Sequence, residues 1–226
     1  MKLKAIVIGV RLSGTGKMPC RSWSLQAIDT CPGSVDLTHS SGLVEACRGC
    51  YATTGNYMFP NVKAPRVHNR DDWKRDDWEA DMVSAIGNDP YFRWFDSGDV
   101  YSLSLALKIY NVMKGTPNTK HWLPTRMHKF AKFKPVFAKM MRLANVAVRK
   151  SSDGIAGERV RGLSSTIFDP AMPNQAAGAF VCEAYSRDGK CGDCRACWDK
   201  TVTVIAYPQH GKKMAKVNRD IIAIAA

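Results

Sequence analysis

Four cysteines near the end of the chain have a spacing that is typical of iron–sulfur ligation. They form a C-x8-C-x2-C-x2-C run of Cys182, Cys191, Cys194 and Cys197. Thiols at two-residue intervals in a tight, glycine-bearing loop converge on one point, and they are too crowded for two relaxed disulfides. Zinc sites more often use two separated C-x2-C units. The run therefore predicts a 4Fe-4S cluster, with zinc as the alternative.

An upstream set of three cysteines would supply further ligands. Cys31 lies in T-C-P-G, and Cys47 and Cys50 bracket Arg48-Gly49 in C-R-G-C-Y-A. Gly49 would let the backbone bend so that both thiolates face one side, and amides in such a loop donate hydrogen bonds to cluster sulfur. Three thiolates would leave one iron of a four-iron cluster open to another ligand. The alternatives are ligands shared between the two sets, a half-formed zinc knuckle, or incidental buried thiols.

The remaining cysteine and the amino-acid composition limit the kinds of protein this chain can be. Cys20 has no partner at ligand spacing, so we expect a free or buried thiol or an extra ligand. The 226 residues are 45% hydrophobic and 23% charged, as in ordinary globular proteins. The apolar run at 5–10 is too short for an export signal or a membrane span and predicts a first strand. We therefore expect a cytoplasmic protein without a membrane partner, in which cysteines favour metal over disulfides.

The formal net charge of +13 is concentrated in the middle of the chain. Residues 100–152 contain no acidic side chain and eleven basic ones. Such a segment is either a solvated helical surface or a surface for nucleic acid or phosphate. Its rings at Phe130, Phe133 and Phe137 follow helical spacing, which favours a place in the core over base stacking.

Strands and helices alternate along the chain. The patterns predict strands at 91–96, 121–126, 145–149, 163–168 and 202–207, and helices at 71–86, 102–113, 130–143 and 217–226. This alternation predicts an α/β protein whose parallel sheet forms a full or partial barrel. No linker or repeat interrupts it, so we expect a single domain, 1–226, with cluster-binding loops at 28–55 and 180–200.

Polar side chains follow two of the predicted strands. Asp96-Ser97-Gly98-Asp99 ends one strand, and Thr125-Arg126 ends the next. The carboxyl ends of strands carry the chemistry in alternating β/α folds. Asp96, Asp99 and Arg126 are therefore candidate catalytic residues. For either carboxylate alone a capping or strand-end role is the better explanation, but the pair would face the strand 121–126, which favours a site. The glycine-rich stretch 9–18 is predicted to be a turn, because it lacks the first glycine and the final hydroxyl of a Walker A loop.

Several motifs together resemble the phage and plasmid family called gene product 88. They are T-C-P-G, C-R-G-C-Y-A, F-R-W-F-D-S-G-D-V-Y-S, H-W-L-P-T-R and C-G-D-C-R-A-C-W, spread over roughly residues 28 to 205. The resemblance implies a protein of a mobile element that works in a bacterial host cell. It supplies little mechanism.

A wider resemblance is to radical S-adenosylmethionine (SAM) enzymes, in which a three-cysteine cluster loop precedes a partial β/α barrel. Cys47, Cys50 and Tyr51 are similar to the end of that loop, with Leu43 where its first cysteine would stand and Cys31 as the distant substitute. The resemblance implies a radical-SAM-like partial barrel, SAM as a candidate cofactor near Ser97, Gly98 and Asp99, and an auxiliary cluster on the C-terminal loop.

Three functions follow from these observations. The first is an enzyme in which an iron–sulfur cluster drives radical or redox chemistry on a small molecule. The second is a zinc- or cluster-stapled protein that binds nucleic acid through the segment 100–152 without catalysis. The third is an electron-transfer protein with only a redox partner.

Overall fold

One eight-stranded sheet organises the protein. The computed structural model describes residues 9–36 and 42–225, so most of the strand predicted at 5–10 lies outside the described residues. The strands are β1 Leu12–Gly14, β2 Arg21–Trp23, β3 Tyr91–Trp94, β4 Lys120–Thr125, β5 Val146–Ser151, β6 Ser164–Phe168, β7 Phe180–Val181 and β8 Val204–Pro208. The five strands predicted between 91 and 207 are confirmed, whereas the turn predicted at 9–18 contains β1.

The sheet winds in one direction. Its order is β1-β2-β3-β4-β5-β6-β8-β7, and every pairing except β1 with β2 is parallel. A doubly wound sheet would reverse its strand order near the middle, whereas β2 to β6 follow the order of the chain without reversal. No pairing of β1 with β7 occurs within 9–36 and 42–225, so the described sheet is open. The mixed α/β class is confirmed.

Helices occupy the connections between strands. They are α1 Glu45–Arg48, α2 Pro60–Asp72, α3 Trp78–Ile86, α4 Leu103–Gly115, α5 Lys134–Arg142 and α6 Lys212–Ala225. In the described part of the chain, none of them is long and apolar enough to span a membrane.

The main core lies between the sheet and helices α3, α4 and α5. Its centre is a group of edge-on tryptophans, in which Trp23 contacts Trp78 and Trp94 at ring distances of 5.3 and 6.2 Å. Phe133 and Phe137 of the basic segment are buried in the same core, as helical spacing predicted. Because side chains alternate along β3, Phe92 and Trp94 enter this core while Arg93 points to the opposite face.

The single helix predicted at 71–86 is wrong. Helix α2 ends at Asp72, and α3 begins only at Trp78. In a continuous helix, Trp73 and Trp78 would project about 140° apart, because each residue turns the helix by about 100°. The break lets both rings be buried, and Arg75 stabilises it by pairing with the carboxylates of Asp72, Asp77 and Asp81.

The basic segment is divided between core and surface. Arg149 is completely buried, and Lys108 donates to two backbone carbonyls, of Trp73 and Arg75. The exposed cations of the segment include Lys114, Lys120, Lys132, Lys134, Lys139 and Arg142. These exposed side chains are the part of the segment most available to a polyanion.

His121 of β4 is buried in its neutral form. Its Nδ1 accepts a hydrogen bond from the indole of Trp94 at 3.2 Å. Its Nε2 lies 2.9 Å from Thr116 Oγ1, whose own proton goes to the carbonyl of Val112. The Nε2–H tautomer satisfies every one of these groups, whereas a second ring proton would face the Trp94 N–H. Burial accordingly lowers the pKa of His121 to about 4.

We expect this histidine to lower the free energy of unfolding as the pH is lowered. Above pH 6.5 the ring is neutral in both the folded and the unfolded chain, so its protonation has no effect on stability there. Between pH 6.5 and 4 only the unfolded chain takes up the proton, which removes about 3 kcal/mol of the free energy of unfolding. Urea unfolding at several pH values should show this loss, and His121→Asn should lack that part of the slope. Parallel pH profiles for the two chains would contradict the assignment.

Candidate functional site

Seven cysteines line one cavity on the face of the sheet opposite the core. The cavity has a volume of about 550 Å³, which lies within the range of small-molecule sites. Its wall includes both predicted sets: Cys31, Cys47, Cys50, Cys182, Cys191, Cys194 and Cys197. The fold therefore brings together two segments that are more than 130 residues apart in the chain.

The upstream thiols form one group. Cys31 lies within electrostatic range of Cys47 and Cys50. The carbonyl of Thr30, just before Cys31, accepts a hydrogen bond from the amide of Asp99 at 3.1 Å. This bond links the cysteine turn to the loop that follows β3. The glycine between the other two thiols is required by close packing and not by the predicted tight bend. Gly49 has an ordinary φ of −92°, but a Cβ there would lie 2.9 Å from the Cα of Met214 in α6.

The C-terminal thiols form a second group that includes Cys20. Cys191 lies within electrostatic range of Cys182 and Cys194, and Cys20 within range of Cys191. The amide of Cys191 donates to the carbonyl of Lys17 at 2.8 Å, which joins the loop to the N-terminal hairpin. Cys20 itself packs against this group but does not line the cavity.

Two side chains hold the C-terminal loop against the sheet. Arg149 of β5 donates to the carbonyls of Cys197, Val202, Ala196 and Asp199 at 2.8, 2.8, 2.9 and 2.6 Å. The indole of Trp198 donates to the carbonyl of Phe92 at 2.9 Å. Because both anchors are buried, the loop is a fixed part of the cavity wall.

All eight cysteines are free thiols. Burial raises the pKa of Cys197 to about 11 and that of Cys20 to about 12, and it also raises those of Cys31, Cys47 and Cys191. These thiols are therefore protonated at neutral pH, and a metal would have to displace their protons. Within the described ranges, no three Cys, His, Asp or Glu side chains converge tightly enough for a single metal ion.

The strand-end residues meet at one edge of the sheet, as the sequence predicted. Asp99 accepts hydrogen bonds from Thr125 Oγ1 at 2.7 Å, from the amide of Arg126 at 2.8 Å and from that of Val100 at 2.7 Å. The Arg126 guanidinium donates to the carbonyl of Ser152, at the end of β5. Burial raises the pKa of Asp99 above its usual range, which these donors partly oppose. These contacts hold the ends of β3, β4 and β5 together beside the cavity.

Asp96 and Ser97 are engaged by a residue of α2. Arg66 pairs with both carboxylate oxygens of Asp96, at 3.1 and 2.8 Å, and donates to Ser97 Oγ at 2.7 Å. Gly98 has a φ of +78°, and a Cβ there would lie 2.6 Å from Leu25 Cβ. The structure thus places the candidate cofactor residues Ser97, Gly98 and Asp99 in the cavity wall and gives each a positioning contact.

Two strained residues border the same cavity. Ile28 has a φ of +71° and Phe95 a φ of +64°. Such values are genuine outliers for β-branched and bulky side chains and cost on the order of 1–3 kcal/mol each. Strain of this kind concentrates at functional sites. Ile28 lies just before Cys31 in the chain, and Phe95 lies just before the Asp96–Asp99 loop.

Three arginines that shape the site were not singled out by sequence reasoning. Arg66 and Arg149 are buried and bind backbone or carboxylate groups, while Arg93 extends into the cavity. Arg93 and Arg149 both lie within predicted strands of a parallel sheet, where both faces are covered. A charged residue in such a strand is therefore a signal of an internal role.

Comparison with known proteins gives one family. No curated protein and no solved structure matches the chain. The model of the family described as gene product 88 matches residues 4–200, which include all eight cysteines and the strand-end residues. That match covers most of the chain, so the protein belongs to the gene product 88 family.

Proposed function

We propose that this chain is an iron–sulfur protein whose two cysteine sets hold clusters at the edge of one ligand-binding cavity. The observation that carries the proposal is the gathering of seven free thiols around that cavity. Isolated core thiols would have no reason to line a common space with strand-end polar groups. The setting is the reducing cytosol of a bacterial host, where such thiols persist.

The donor set suits a cluster better than a single ion. A zinc ion holds its sulfurs at about 2.3 Å, so its thiolates must converge on one point. A four-iron cube takes each thiolate on a different iron and spreads its ligands more widely. Within each set the thiols lie near one another, and among the described residues no three of them converge on a single point. Cys31, Cys47 and Cys50 would hold one cluster, and Cys182, Cys191, Cys194 and Cys197 another.

The winding of the sheet supports a radical-SAM-like partial barrel. Strands β2 to β6 are parallel and sequential, the first cysteine turn follows β2, and the Asp96–Asp99 loop follows β3. SAM would lie against that loop. Asp99 already accepts three hydrogen bonds, which leaves one of the roughly four acceptor positions of a carboxylate for an ammonium group. When bound, a reduced cluster and SAM supply radical chemistry, and the chain's residues orient the substrate.

The test is the metal content of protein purified without oxygen. We expect iron and acid-labile sulfide in stoichiometric amounts, with visible absorption from thiolate-bound iron. Cys47→Ser should remove the iron of the upstream set alone, and Cys191→Ser that of the C-terminal set alone. Cys20→Ser tests the eighth cysteine, which packs against the C-terminal set without lining the cavity. A full iron content in that variant would show that Cys20 is not an additional ligand.

The result also decides between the function classes. Zinc without sulfide would overturn the cluster proposal. Clusters that show no response of their spectrum to added SAM would remove the radical-SAM assignment and leave electron transfer or other redox chemistry.

A second function is favoured by one observation, the set of exposed cations in and beside α5. Lys132, Lys134, Lys139 and Arg142 project from or beside α5. A surface of this kind would bind nucleic acid through the phosphates, with an affinity that falls steeply as salt rises. A salt-insensitive affinity, or one unchanged when these four residues are replaced by glutamine, would count against it.

A further inference from the structure

Arg93 projects from the middle of the sheet into the cavity. It stands opposite Ser22 of β2 and Trp122 of β4 in the strand register. Its guanidinium carbon lies over the Trp122 ring, 4.5 Å from the ring centre. The ring thus supports the cation on one side, which leaves N–H groups on its other sides for a ligand.

This guanidinium has no carboxylate partner in the part of the chain that the structure describes. Its Nε donates to the carbonyl of Phe95 at 3.1 Å, and one Nη faces the weak acceptor Sδ of Met18 at 3.4 Å. The nearby Asp96 is already paired with Arg66 on both oxygens. The hydroxyl oxygen of Tyr51 accepts a further N–H of the guanidinium, so at least two of the five N–H donors of Arg93 remain without a good acceptor.

A second donor beside it is also unsatisfied. The indole nitrogen of Trp122 is buried and has no hydrogen-bond partner among the described residues. Buried polar groups without partners are rare, and each one calls for a ligand, a water or an ion. The Trp122 nitrogen is too deeply buried to meet a ligand itself. Arg93 is only partly buried and lines the cavity, so its unused N–H groups mark this spot in the wall as suited to an anion.

Arg93 lies between the two cysteine sets. It interacts electrostatically with Tyr51, which follows Cys50, and with Cys191 and Cys197 of the other set. The rings of Tyr51, Tyr57, Trp122 and Tyr207 line the cavity around it. A ligand held at Arg93 would have aromatic walls on its sides and both cysteine sets within its reach.

We propose that Arg93 binds the anionic group, a carboxylate or a phosphate, of an aromatic substrate of this cavity. An arginine fork matches both groups with two parallel hydrogen bonds, which are strong in a poorly hydrated site. The inference deepens the proposed function by naming the substrate class. Binding itself needs no cluster, so it can be measured with or without one.

The test uses three small probes of one shape: phenyl phosphate, benzoate and the neutral benzyl alcohol. Calorimetric titration of the metal-free and metal-loaded protein should give binding of at least one anion and tenfold weaker binding of the alcohol. The preferred anion then distinguishes a phosphate from a carboxylate substrate. Arg93→Met should weaken anion binding at least tenfold, and Arg93→Lys should weaken it less. The matched control is Arg70→Met, because Arg70 is exposed and lies outside both the cavity wall and the segment 100–152.

The outcomes separate this inference from the cluster proposal. Equal affinities for anions and alcohol, or an unchanged anion affinity in Arg93→Met, would overturn the role of Arg93 whatever the metal content. If SAM displaces the anion and itself binds more weakly to Arg93→Met, then Arg93 serves the cofactor's carboxylate and the substrate assignment is wrong. Anion binding by a chain that carries no iron would leave the inference standing and remove the cluster.

Discussion

Replacing Arg149 with methionine is expected to lower the free energy of unfolding by about 3 kcal/mol or more and to abolish metal binding at the cluster site proposed for the C-terminal cysteines. Arg149 is completely buried, and four carbonyls of the segment 196–202 depend on its donors. Each buried acceptor left without a partner costs about 1–3 kcal/mol. Because two of these carbonyls belong to Ala196 and Cys197, the last thiol of the set would lose its position.

The measurement is denaturant unfolding together with iron analysis of the purified protein. Arg142→Met removes the same charge from an exposed position of α5 and should change neither quantity. Arg149→Lys keeps the charge but changes the geometry, since a single ammonium cannot span four carbonyls. Its stability and iron content should lie between those of Arg149→Met and Arg142→Met. Wild-type stability and full iron in Arg149→Met would show that the loop does not depend on this arginine.

The anchoring by Arg149 explains how a cysteine loop with little regular structure becomes part of a defined site. Between β7 and β8 the described chain forms only short turns of 3-10 helix. Its local hydrogen bonds, such as the amide of Cys194 to the carbonyl of Cys191 at 3.1 Å, set the spacing of the thiols. The buried arginine and Trp198 then set where that loop faces. The local sequence thus determines the shape of the cysteine loop, and its contacts with the sheet determine the position of the loop.

The sequence predicted the parts of the site that depend on local pattern. The cysteine spacing identified both thiol sets, and the polar residues after two strands identified the edge where Asp99 meets Thr125 and Arg126. The placement of the polar residues follows from the strand pattern, because the carboxyl ends of parallel strands share one edge of a sheet. Tertiary contacts decided the rest. The break between α2 and α3 follows from the burial of both Trp73 and Trp78, which no local pattern requires.

The roles of the buried arginines were the main features of the site that the sequence did not predict. In the sequence Arg149 counts as one more cation of a basic surface, and Arg66 carries no motif at all. Their partners are backbone carbonyls and a carboxylate 30 residues away, which become visible only when the chain is folded. Buried charges need such partners, so their roles are decided by the same contacts that decide the fold.

Asp96→Asn is the second change expected to have a large effect, because it leaves a buried cation without its counter-ion. Arg66 and Asp96 have only 7% and 3% of their side-chain surfaces exposed. The amide keeps the size of the carboxylate but turns an N–H group toward the guanidinium. Removing one partner of a buried pair costs about 3–5 kcal/mol. The Ser97 hydroxyl, which accepts from Arg66 Nε, would shift with it.

The comparison that isolates this effect is Asp71→Asn, which breaks an exposed ion pair with Lys74 and should cause no measurable loss in urea unfolding. Arg66→Met added to Asp96→Asn removes the stranded charge, so the double variant should be more stable than Asp96→Asn alone. If Asp96→Asn matched Asp71→Asn, the buried pair would contribute little to folding. The strand-end loop would then be held mainly by Asp99, which accepts hydrogen bonds from the Thr125 hydroxyl and from the amides of Arg126 and Val100.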